Sequence, residues 1–183
     1  MNLEYFIAAL PTLALDHPAP LTTEAFRALC ETQLDAHLGG AAAALLDGTA
    51  HPHPYVVAWR DRETILRNAV VRRRAARLGT DAQVAIRPAH GSDLQIEHAV
   101  AAAFEQPDPW QREQALDRLR WRVLEELQGP QPMAPEAVLA FAVKLRLVEA
   151  RGRLDAGAGR ERLERLATLP APRAKRDTDG SGR

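Results

Sequence analysis

The sequence predicts an all-α fold, a single multi-helix bundle of about six helices. Three observations predict it. Apolar residues recur at three- and four-residue spacing in one segment after another. Threonine, serine, aspartate and proline stand where those segments begin, and glycine where several of them end. No segment sustains the period-two alternation of a half-buried strand.

Taken in order, residues 3–10 are apolar and end at Pro11, which disfavours helical geometry at the residue before it; the segment reads as a short helix or an extended strand-like piece, with helix preferred. Asp16-His17-Pro18-Ala19-Pro20 is a loop. Thr22 or Thr23 caps a helix with Glu24 in its first turn and Phe26, Leu29, Cys30 and Leu34 on one face. Gly39-Gly40 is expected to stop or break it, leaving residues 41–47 as a short alanine-rich turn or two. His51-Pro52-His53-Pro54 reads as an extended linker.

A long helix follows from about Tyr55 or Trp59 to Leu78, stopped by Gly79, with Leu66, Ala69, Val70 and Ala76 inward. Ser92 with Gln95 has the capping-box pattern and opens a helix over residues 93–105. Asp108 before Pro109 caps the next, which runs to about Gln128 with Leu116, Leu119, Val123, Leu124 and Leu127 inward. After a turn at 129–132, Pro135 opens a helix bearing Val138, Leu139, Phe141, Ala142, Val143, Leu145, Leu147 and Val148. Apolar residues surround nearly its whole circumference, which places it at the centre of the bundle. A last amphipathic helix is expected over 160–169, closing a helical domain of residues 1–169, and residues 170–183 have the composition of a disordered tail.

Composition narrows the function. Twenty-four basic and 24 acidic side chains cancel, so no global field draws the chain to nucleic acid or anionic lipid. A single cysteine, Cys30, rules out an internal disulfide and fits a reducing cytoplasm. The N-terminus lacks a basic n-region, so it does not read as a signal peptide, and no window approaches the ~20 apolar residues of a membrane helix.

Catalytic and metal motifs are missing. His51 and His53 are two ligands without a third, and Glu97-His98 lacks the second histidine of a zincin helix. Cys30 lies on an apolar stripe without a placed base. No Gly-x-Ser-x-Gly elbow occurs, and the glycines at 152, 157 and 159 precede no Lys-Ser or Lys-Thr, so neither a P-loop nor direct nucleotide binding is expected. No catalytic residue, cofactor or metal ligand is assigned.

The loud signal is charge. Arg60, Arg62, Arg67, Arg72, Arg73, Arg74 and Arg77 share a segment with only Asp61 and Glu63. Such a helix either docks an acidic partner or is a solvated face whose arginines pair with acids elsewhere, such as Glu125 and Glu126. Around Arg67, Asn68, Arg72, Arg73 and Arg74 it is the candidate protein interface. Arg120 and Trp121 join the candidates, Trp121 as interface anchor or core residue. Lys144 also joins them; it interrupts the most apolar helix and either snorkels or meets a carboxylate.

Four stretches carry a resemblance. They are Tyr5-Phe6-Ile7-Ala8-Ala9-Leu10-Pro11; Leu66-Arg67-Asn68 with Arg74-Ala75-Ala76-Arg77-Leu78-Gly79; Pro107-Asp108-Pro109 leading through Glu113, Leu116 and Asp117 to Leu119-Arg120-Trp121; and Leu139-Ala140-Phe141-Ala142-Val143-Lys144-Leu145. In that order they resemble an uncharacterised bacterial domain family encoded among V-type ATP synthase subunits, over residues 5–153. The resemblance implies a non-enzymatic accessory or central-stalk component, like the funnel-shaped helical adaptor of rotary ATPases that couples rotor ring to shaft through protein–protein contacts. Its implied partners are the other V-type ATPase subunits, and its implied place is cytoplasmic, peripheral to the inner membrane through the complex. An assembly chaperone of the same complex would share these features, and a nucleic-acid binder using the arginine-rich helix is the reading from a different class.

Overall fold

The computed structural model describes residues 2–153. The chain divides into two units, Met1–Gly152 and Arg153–Arg183, and the first holds all the architecture below. The expected helix at 160–169, the domain boundary at 169 and the tail at 170–183 lie outside the described residues.

Seven α-helices and one 3₁₀ turn, with no strand, make up the described residues. They are α1 (Leu3–Ala9), α2 (Thr23–Gln33), α3 (Ala36–Asp47), α4 (Pro54–Leu78), the turn at Ala82–Ala85, α5 (Leu94–Phe104), α6 (Pro109–Gln128) and α7 (Pro135–Gly152). None is long and apolar enough to cross a membrane.

Local chemistry sets the ends. Thr22 caps α2 through its hydroxyl, which accepts from the amide of Ala25. Asp108 caps α6 ahead of Pro109, whose missing N–H is one the first turn cannot use. Gly79 ends α4 in the left-handed region (φ 66°), where a β-carbon would be strained.

Three expectations need correction. Gly39 and Gly40 do not stop α2; it ends at Gln33, and both glycines lie inside α3. Asp35 restarts the helix by accepting from the amides of His37 and Leu38. The glycines there permit close approach: a β-carbon on Gly40 would sit 3.3 Å from Nε2 of His51. At α5 the cap is Asp93, not Ser92, because the Asp93 carboxylate takes the amides of Gln95 and Ile96. On α4 the buried alanine is Ala75, and Ala76 faces out.

The linker at 51–54 is also more ordered than its composition implies. His53 caps α4, its Nδ1 accepting from the Tyr55 amide at 3.2 Å, while Nδ1 of His51 accepts from the amide of His53 at 3.2 Å. The ring of His37 lies against both, with centroids 5.5 and 5.3 Å away.

Helix α7 is the hub. It packs against α1, α2, α3, α4 and α6, and Val138, Leu139, Ala140, Ala142, Val143 and Leu145 have no exposed surface. Removing that much apolar area from water is the main force holding the bundle. Phe26 of α2 meets Phe141 with centroids 4.9 Å apart. Cys30 is buried, and burial pushes its thiol up to about 12, so it packs as a small hydrophobe.

Candidate functional site

The arginines of α4 split into two sets once their partners are placed. One set ties the helix to its neighbours. Arg62 pairs with Asp93 at the start of α5, Arg72 with Glu97 at 3.0 Å, and Arg74 with Glu113 of α6 at 3.4 Å. Arg77 lies over the ring of Phe104 and donates to the Phe104 carbonyl. The acids that answer this helix therefore belong to α5 and the first half of α6. Glu125 instead serves Trp121 and Lys144.

The second set surrounds Glu63. Its carboxylate accepts from Nε of Arg67 at 3.0 Å and from Nε of Arg120 at 3.1 Å. Burial, the largest single influence, would make Arg120 less basic, but Glu63, Asp117 and Glu113 together raise the guanidinium pKa, Glu63 most of the three. Asp117 lies 3.3 Å from Arg120, yet burial pushes its carboxyl above the usual range. Glu63 is thus the stronger of the two carboxylate partners of Arg120.

Beside Glu63 a hollow of about 130 Å³ opens between three elements and a loop. The end of α3 and the turn after it supply Ala44, Leu45, Gly48 and Thr49; α4 supplies Trp59, Arg60, Glu63, Thr64 and Arg67; α7 supplies Arg146; and the segment before α5 supplies Arg87. Four arginines and one carboxylate line the hollow, and that carboxylate is already shared with Arg120.

Each cation in the hollow is held differently. Arg146 donates from Nη1 to the carbonyls of Leu45 (2.8 Å) and Leu46 (3.3 Å), closing the C-terminal end of α3. Burial lowers its pKa, Glu63 and more weakly Asp47 pull it back up, and the nearby Arg67 and Arg120 push it down. Arg60 donates to the carbonyl of Gly48 at 3.1 Å. Arg87 has its backbone clamped from both sides by Asn68, whose Nδ2 donates to the Arg87 carbonyl (2.8 Å) and whose Oδ1 accepts from the Arg87 amide (3.0 Å). No hydrogen bond or ion pair engages the Arg87 guanidinium among the described residues.

The structure sorts the eight interface candidates accordingly. Arg67, Asn68, Arg74 and Arg120 line one groove of about 420 Å³ together with Arg87 and Glu113. Arg72 and Arg73 line a separate recess with Ala69, Ala76 and Glu97. Arg73 has no ion-pair partner among the described residues. Asn68 is corrected from surface to interior: it is 5% exposed, because two backbone groups of the 82–89 segment need a partner there. Arg120 is mostly buried too.

Trp121 and Lys144 form a different cluster across α6 and α7. The ammonium of Lys144 sits 4.6 Å from the Trp121 ring centroid and 3.3 Å from Glu125, and the indole N–H donates to the same Glu125 at 2.8 Å. Lys144 thus meets a carboxylate, and half-buried Trp121 is the platform beneath it.

Sequence reasoning missed Arg87 and Arg146. A second cation two residues after Lys144 in an otherwise apolar helix was a legible signal for Arg146; nothing local marks Arg87. Among the described residues no group of three or more histidine, cysteine, aspartate or glutamate side chains is placed to hold a metal ion. The histidine trio fits that finding, since Nδ1 of His51 and of His53 already accepts a backbone hydrogen bond.

No protein-family model, no curated protein and no solved structure matches the chain.

Proposed function

We propose that this chain is a non-catalytic binding subunit, an accessory or central-stalk component of a bacterial V-type ATP synthase that couples rotor ring to shaft through protein–protein contacts. One observation carries the binding part. The outward side of α4 presents Arg72, Arg73 and Arg74 in one turn, and Arg73 has no ion-pair partner among the described residues. Its neighbours are fixed by pairs to α5 and α6, so an acidic surface meets cations held in place rather than free to wander. An adaptor that transmits torque also needs stiffness, and a central apolar helix packed on five others supplies it. The assignment to this particular complex rests on the ordered resemblance over residues 5–153.

The test is to purify the V-type ATP synthase from the native host and analyse its subunits by mass spectrometry. Stoichiometric presence of the chain supports the reading, and incorporation drops when Arg73→Glu is introduced into a chain that still folds. Absence from the intact enzyme overturns the subunit reading. Presence in partial assemblies alone would identify an assembly chaperone instead. Retardation of DNA or RNA that weakens steeply with salt would favour the nucleic-acid binder.

A further inference from the structure

We infer that the hollow between α3, α4 and α7 binds a phosphate group, either inorganic phosphate or the phosphate end of a phosphomonoester. This goes beyond the subunit reading and does not rest on it, although the two surfaces meet at Arg67.

Charge is the first argument. Arg60, Arg67, Arg87 and Arg146 line the hollow with Glu63 as its one lining carboxylate, a formal excess of three positive charges around about 130 Å³. Asp47, which also acts on Arg146, is paired with Arg27. Arg120 draws on the same Glu63 from the other side, so the carboxylate does not neutralise the hollow. A dianion offsets this excess better than a monoanionic carboxylate does.

Donor geometry is the second. Arg146 commits Nη1 to two carbonyls and Arg60 commits Nη1 to one, which anchors each guanidinium while leaving other N–H groups of its five. Arg87 has a backbone pinned by Asn68 and a side chain with nothing bound to it among the described residues. These arginines line the hollow from α4, from α7 and from the segment before α5, so donors are supplied by three separate segments. Tetrahedral phosphate oxygens accept from several directions, whereas a carboxylate presents its acceptors in one plane. Burial of Arg146 beside other cations, which makes its charged form harder to hold, is relieved by an anion.

Size is the third. The hollow is smaller than the roughly 300–1,000 Å³ of ordinary small-molecule pockets, so it takes a phosphate and leaves the rest of any ligand outside. The adjoining groove of about 420 Å³ shares Arg67 and Arg87 with it and offers that remainder a path.

The test is isothermal titration calorimetry on the full chain at constant ionic strength in chloride. The probes are inorganic phosphate, ribose 5-phosphate and succinate. Saturable binding of phosphate is expected, with succinate at least about tenfold weaker. Arg87→Ala, at an exposed side chain, should weaken phosphate binding about tenfold or more without lowering the melting temperature of the ligand-free protein. Arg73→Ala, in the separate recess, should leave the affinity unchanged. Ribose 5-phosphate binding more tightly than phosphate assigns the site to a phosphomonoester, and weaker or equal binding assigns it to inorganic phosphate. The inference is overturned by the absence of saturable heat at millimolar phosphate, by succinate binding as well as phosphate, or by Arg73→Ala losing as much affinity as Arg87→Ala. Because no outcome depends on the ATP synthase, failure here leaves the subunit reading standing, and the reverse also holds.

Discussion

Helices α4 and α7 carry most of the interpretation, and they handle charge in opposite ways. Helix α7 is apolar almost all round and meets five other helices; its two interior cations, Lys144 and Arg146, are folded back onto Glu125 and onto the carbonyls that end α3. Helix α4 buries one side, including Val56, Trp59, Ile65 and Leu66, and turns its arginines to neighbours or to solvent. The difference teaches where stability and recognition reside. Burial in α7 holds the molecule together, while the charges of α4 contribute little each to stability and can serve binding.

That contrast is open to test, from the largest effect downward. Leu139→Ala in α7 removes a fully buried side chain surrounded by other helices and should destabilise the protein by about 2–5 kcal/mol, read as a lower urea midpoint with unchanged slope. A loss below about 1 kcal/mol would mean α7 is not the centre. Asn68→Ala leaves two backbone groups of Arg87 without their partner and should cost about 1–3 kcal/mol. Hydrogen exchange should quicken in the 82–89 segment, and phosphate affinity should fall with it; rapid exchange confined elsewhere would refute the clip.

By contrast, Arg72→Ala and Arg74→Ala break pairs whose arginines are 46% and 62% exposed, so each should change stability by about 0–1 kcal/mol and less at high salt. A larger, salt-insensitive loss in chemical denaturation would show α4 held by charge after all. The last effect is a shallow pH slope. Burial holds His53 below the ordinary imidazole value of 6.5, with His37 and His51 pushing the same way and Glu136 opposing. The unfolded chain therefore takes up the proton first. This contribution to stability is present above pH 6.5 and is lost as pH falls through the lower folded value. His53→Asn, which keeps a capping acceptor, should flatten the slope between pH 7 and 5. An unchanged slope would place the titrating group elsewhere.

Much of the bundle was legible because amphipathic periodicity and caps are local properties. The proline at 11, the Asp108-Pro109 cap and the apolar circumference of α7 each located an element without knowledge of the rest. The errors arose where local signals were nearly balanced. Asp93 and Ser92 are both good caps, and Gly39-Gly40 resembles a stop until His51 is seen packed over it. Of the charged surface, the sequence marked Arg67, Arg72, Arg73 and Arg74 but could not separate paired arginines from unpaired ones.

The amino-acid order alone determined most of the helices, the absence of strand periodicity and the central place of α7, because helix formation and stripe burial depend on neighbours three and four residues apart. Only the tertiary structure decided which cations were answered. It brought Glu97 to Arg72 across 25 positions, set Asn68 against Arg87 across 19, and carried Arg146 roughly a hundred positions back to the end of α3. Electrostatic pairing is a matter of ångströms in space and burial, and no periodicity along the chain encodes distances of that kind.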